Sequence, residues 1–261
     1  MWYEKLKIKK IQSDDILKKE SIHPGVMELL IRDLTYFMIT DRKKDAFALA
    51  LNGFYAERHN YLENFALANE YLDDITGLDD MSLQFAKYLI QGEVWNRLGT
   101  SQDPEKVKML TKDDIHNIRV MVTRCLEFTS LFCTVSYVRF DDLDDVYQNV
   151  IELGHGNILC RSCLWMIKTS KKKPTQEQFF QLLQYYILGK HFRKEQFRFV
   201  DKIGIFNSRL NAVFQLKIND LDGDILNKAR YNLIYYEPKS VDVIEEIPYL
   251  TKKRDRYVFG Y

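Results

Sequence analysis

The stretch 154–189, GHGNILCRSCLWMIKTSKKKPTQEQFFQLLQYYILG, constrains the fold of this chain more than any other. Gly154 and Gly156 bracket a turn. Short β-prone runs then pass through Leu159 and Leu164 to Thr169, a polar break follows, and a helix comes next. Pro174, Thr175 and Gln178 mark where that helix starts, because at this spacing an N-cap hydroxyl and an N3 side chain satisfy each other's orphan amides. Gly189 is expected to close it.

The chain before this stretch follows a different period. Val26, Met27, Leu29, Leu30, Leu34, Phe37 and Met38 recur at helical spacing, so they form one buried face. Further helical patterns run from about Lys43 toward Leu72, with a break near His59, and from Asp79 or Asp80 to Trp95 or Leu98. Turn formers at 99–104 suggest a linker, which divides the chain into a mainly helical region, 1–105, and an α/β domain with a C-terminal tail, 106–261. Thr111 with Asp114 caps a helix that carries Ile115, Ile118, Met121, Val122, Cys125 and Leu126. Residues 146–153, 199–206 and 212–218 read as strands, the last two joined by the tight connection 207–211. Asp220 or Asp222 then caps a helix to about Leu233. Residues 1–12 alternate weakly, as an edge strand or a basic arm would. The expected class is thus α+β or α/β: helices followed by a mixed sheet flanked by helices.

Composition narrows the setting. Hydrophobic residues make up 46% and aromatics 13%, as in a chain that folds around a core. No leader pattern and no apolar run of membrane-spanning length is visible, and four cysteines are too few for a disulfide framework, so a cytoplasmic protein with no membrane partner is expected. The net charge of +1 gives no global basic field for nucleic acid, but Lys171, Lys172 and Lys173 cluster, as do the bases between Lys190 and Arg198, and both clusters flank the central stretch in sequence.

Asn157 in the glycine turn, Trp165-Met166-Ile167-Lys168 on the next β run, and Gln181-Leu-Leu-Gln-Tyr185 on the following helix together resemble the core of the PD-(D/E)XK nuclease superfamily, over roughly Thr111 to Tyr235. The resemblance implies a restriction-endonuclease-like mixed-sheet domain and a site at Lys168, Asn157, Met166, Gln181 and Tyr185. It also implies degenerate chemistry. Family members hold an Asp where Asn157 stands and an acid where Met166 stands, and those two carboxylates cage Mg²⁺. An amide oxygen is neutral and a thioether is soft, so neither replaces them. The expectation is a catalytically impaired relative that takes no cofactor and binds DNA, RNA or a protein partner through Lys168, Lys171, Lys172, Lys173, Gln181 and Arg193, with Tyr185 as a stacking surface. Defence against phages or mobile elements is the setting the superfamily implies.

Alternatives stand beside this expectation. A relocated acid, Glu152 or one within 141–145, with His155 as a further ligand, would restore Mg²⁺- or Mn²⁺-dependent cleavage. A protein-binding inhibitor or immunity-type module would use the helical half instead. At the level of single residues, Lys168 also reads as a strand-end lysine reaching solvent, Tyr185 as a core tyrosine and His155 as a turn residue. Cys160 and Cys163 have the spacing of half a zinc site, with no second pair at a suitable distance.

Overall fold

A computed structural model describes residues 6–11, 15–56, 61–98, 107–131, 135–138, 157–160, 162–191 and 195–234. The expected boundary at residues 105 and 106, the acidic run 141–145 and the tail lie outside them. In chain order the elements are β1 (Lys7–Lys10), α1 (Pro24–Thr40), α2 (Lys43–Ala46), α3 (Ala48–Ala56), α4 (Tyr61–Asp74), α5 (Asp80–Leu98) and α6 (Lys112–Ser130). They continue with β2 (Val135–Val138), β3 (Asn157–Cys160), β4 (Cys163–Lys168), α7 (Gln176–His191), β5 (Lys202–Asn207), β6 (Ala212–Lys217) and α8 (Gly223–Ile234). The strands form one sheet in the order β1-β6-β5-β4-β3-β2. Every neighbouring pair is antiparallel except β4 and β5, which run parallel and are joined through α7. The protein is therefore α+β, with a mixed sheet flanked by helices.

Alternation along the strands divides the side chains into two cores. Ile158, Cys160, Cys163, Trp165, Ile167 and Phe206 join the core of the helical region. Leu159, Leu164, Met166, Ile203, Ile205 and Phe214 pack instead with Phe179, Leu182, Tyr185 and Leu188 of α7 and Ala229 of α8. On the first face Trp165 meets Phe128 edge-on at 5.0 Å, and Phe128 stacks on Phe206 at 4.3 Å. Gly204 lies beneath the indole, and a Cβ there would collide with it. In the helical region Gly53 of α3 and Gly92 of α5 bring two backbones into contact, which any side chain would prevent. Next to them the guanidinium of Arg32 pairs with Asp33 and Glu93 at 2.5 and 2.6 Å, in a position where all three side chains are nearly buried.

The segment before α1 has no regular structure and is clamped by side chains of α6. Asn117 exchanges two hydrogen bonds with the Lys18 backbone, and Asp114 accepts from the Ser21 amide and hydroxyl while also closing the capping box with Thr111. Arg124 donates to the carbonyls of Asp15 and Ser208, so this strap and the β5–β6 turn share one anchor. Burial pushes the Asp114 carboxyl up, but the bonds from Ser21 and Thr111 outweigh that and hold it below the usual carboxylate range. β1 is an edge strand on β6 with all four residues exposed, and its lysines blunt further pairing.

Two expectations need correction. Gly189 does not close α7, which runs on to His191; the glycine is there because the Phe197 ring presses against its backbone. The strand expected over 199–206 begins at Lys202, after a 3-10 turn at Glu195–Phe197 that leaves Phe199 exposed. β2 was not foreseen, while the strand expected over 146–153 falls outside the described residues.

Candidate functional site

The β3–β4 hairpin pairs Asn157 with Met166 directly, and a strand's two-residue period sets Lys168 on the Met166 side, one step beyond. The positions named by the resemblance in these two strands thus share one face and one end of the sheet. That end is the carboxyl edge of β4, next to the parallel strand β5, where open α/β sheets leave a crevice. α7 covers the face, with its capping box made by Thr175 and Gln178: each backbone amide is bound by the other's side chain, at 3.1 and 3.4 Å.

Asn157 is 2% exposed, and its amide Nδ2 has no hydrogen-bond partner among the described residues. A buried orphan donor costs about 1–3 kcal/mol, so the position carries a penalty that packing alone does not explain. Met166 is buried in the core with Leu182 and Tyr185. Gln181 Nε2 lies 3.4 Å from Tyr185 Oη, as the one-turn spacing on α7 requires. Tyr185 is 2% exposed and belongs to the core beneath α7, so its ring is not a stacking surface for a base.

Lys168 does not present a free charge. Its Nζ lies 2.7 Å from Glu28 Oε1, and the second carboxylate oxygen of Glu28 accepts from the Thr169 amide at 3.5 Å. Glu28 comes from α1, 140 residues away in sequence, and nothing in its local pattern distinguishes it from other polar positions on that helix. Sequence reasoning also missed Asn207, the register partner of Lys168 in β5. Its side chain is fully buried; Nδ2 donates to the carbonyls of Ser170 and Lys172, and Oδ1 accepts from the amides of Arg209 and Leu210. Arg209 Nε adds a bond to Thr169 O at 2.5 Å. These contacts hold the loop that carries Lys171, Lys172 and Lys173, whose side chains all face solvent.

The second basic cluster lies elsewhere. α7 runs back along the sheet for 16 residues, so Lys190 is roughly 24 Å from the loop of Lys171–173 at ~1.5 Å per residue. The two clusters therefore do not flank one site. Arg193, Glu152 and His155 lie outside the described residues.

Cys160 and Cys163 are register partners on the opposite face, both free and both buried. Burial pushes the Cys160 thiol up to about 12 and that of Cys163 higher still, so both are neutral packing groups. No cluster of three or more His, Cys, Asp or Glu side chains suited to a metal occurs among the described residues. Around Asn157 an amide, a thioether and a paired ammonium do not fit a Mg²⁺ ion, which requires anionic oxygens. Orphan N–H and ammonium donors suit an oxyanion better.

No helix among the described residues is long and apolar enough to cross a membrane. Comparison with protein families, curated proteins and solved structures finds no match to this chain.

Proposed function

We propose that this chain is a PD-(D/E)XK-type nuclease relative that has lost its two metal-holding acids and now binds nucleic acid at the carboxyl edge of β4. One observation carries the proposal: Asn157 sits directly opposite Met166, with Lys168 following on the same side and Gln181 and Tyr185 in contact on the helix above. That the strand ending in Lys168 is followed by the helix carrying Gln181 and Tyr185 also supports this reading. Phosphate oxygens would accept from the Asn157 amide and from Lys171, Lys172 and Lys173 on the loop held by Asn207. In the Asn157→Asp, Met166→Asp double variant, calorimetry is expected to register Mg²⁺ uptake that the wild type lacks; a folded double variant that takes up no Mg²⁺ would overturn the alignment. Should that variant fail to fold, Asn157→Asp alone is the fallback, and it should gain weaker Mn²⁺ uptake. Binding to short DNA or RNA duplexes should weaken steeply with salt and should fall in the Lys171→Ala, Lys172→Ala, Lys173→Ala triple variant. No retention of either at low salt would point to a protein partner instead.

A second reading keeps cleavage with a relocated acid. Glu28 favours it, because a carboxylate already lies 2.7 Å from the Lys168 ammonium. Cleavage of plasmid or RNA in Mn²⁺ that disappears in Glu28→Gln and in Lys168→Ala would establish this reading and defeat the impaired one.

A further inference from the structure

The far end of α7 carries a strip of alternating cations and rings that the β3–β4 site does not use. Lys190 Nζ stands 5.7 Å from the Tyr186 ring centre and donates to the Arg198 carbonyl at 3.0 Å, which ties the helix end to the turn before β5. The Arg198 guanidinium lies 5.5 Å from the Phe199 ring, and Phe199 is 74% exposed. Burial raises the Tyr186 phenol, and Arg230 of α8 is near enough for its charge to oppose that. The strip thus runs Arg230, Tyr186, Lys190, Arg198, Phe199 across two helices and a turn. Two acids border it: Glu195, and Asp201, which is 3.6 Å from Lys202.

We propose that this strip binds single-stranded nucleic acid, with a base stacked on the open face of Phe199 and phosphates on Arg198, Lys190 and Arg230. An exposed phenyl is unfavourable in water, and a guanidinium on one face leaves the other for a flat partner. An acidic peptide would satisfy the cations but leave the ring bare, and a duplex offers phosphates with its base faces already stacked. A single strand supplies both groups at alternating positions. The proposal does not rest on the β3–β4 site, and the two fail separately.

The test is fluorescence anisotropy of the full chain with labelled oligothymidine, a duplex of equal length and polyglutamate. Phe199→Ala, an exposed substitution, should weaken oligothymidine binding roughly tenfold without changing its salt dependence. Arg198→Gln and Arg230→Gln should each flatten the slope of log affinity against log salt by about 0.7. The triple alanine variant at Lys171, Lys172 and Lys173 should leave this binding intact; loss there with Phe199→Ala silent would assign all binding to the other end and overturn the strip. Equal binding of oligothymidine by Phe199→Ala and wild type would also overturn it. So would displacement by polyglutamate at matched charge, or duplex binding that falls in Phe199→Ala as far as single-strand binding does.

Discussion

The two faces of the sheet are built from alternate residues of the same strands, yet they do different work. On the first, Trp165, Phe128 and Phe206 form a ring stack over Gly204, and the cysteines beside it are neutral filler. On the second, Leu159, Leu164 and Met166 pack equally well, but the face ends in a buried amide without a described partner and a lysine drawn to Glu28. A sheet can therefore commit one face wholly to packing and confine its chemistry to the strand ends of the other. A buried donor left unsatisfied there costs about 1–3 kcal/mol, which a ligand that accepts from it would relieve.

That contrast is open to direct attack. Trp165→Ala should cost about 3–5 kcal/mol in urea unfolding, since it empties the centre of the first face; a cost under about 1 kcal/mol would show that face to be loosely packed. Alkaline unfolding should expose the same face. Cys125 and Cys160 are pushed up to about 12 by burial from an ordinary 9.0. The unfolded chain therefore releases their protons first, and the stability they contribute below pH 9 declines as the pH rises toward 12. Replacing Cys160 with Val should flatten that decline in pH-dependent melting. Gly204→Ala should cost about 1–3 kcal/mol by forcing the indole aside.

The second face should behave in the opposite sense. Asn157→Leu removes the orphan donor and should raise stability by about 1 kcal/mol while weakening nucleic-acid binding. A loss of stability instead would mean that the amide is satisfied within the folded chain. Lys168→Met should change stability by at most about 1 kcal/mol, because its pair with Glu28 is partly solvated at 18% and 31% side-chain exposure. Its effect belongs in the binding assay.

Much of this architecture was legible in local sequence. The capping pairs Thr111–Asp114 and Thr175–Gln178, the apolar spacing of α1 and the turn at 207–211 all act over a few residues, and each is present. Gly189 was misjudged because a glycine at a helix end and a glycine under a ring look alike until Phe197 is placed. The candidate site was half legible. The spacing of Gln181 and Tyr185 guarantees a shared helix face, whereas the partner of Lys168 lies 140 residues away and leaves no local trace.

By itself the sequence determined most of the helices, the β3–β4 and β5–β6 strands and which side of each is apolar, because hydrogen bonding and side-chain period are properties of neighbours along the chain. Only the tertiary structure decided that Asn157 faces Met166, that Glu28 neutralises Lys168, and that the two basic clusters stand at opposite ends of α7. Those outcomes depend on strand register and on how α1 packs against the sheet edge. Both are settled by burying the two cores together, which no short stretch of sequence encodes.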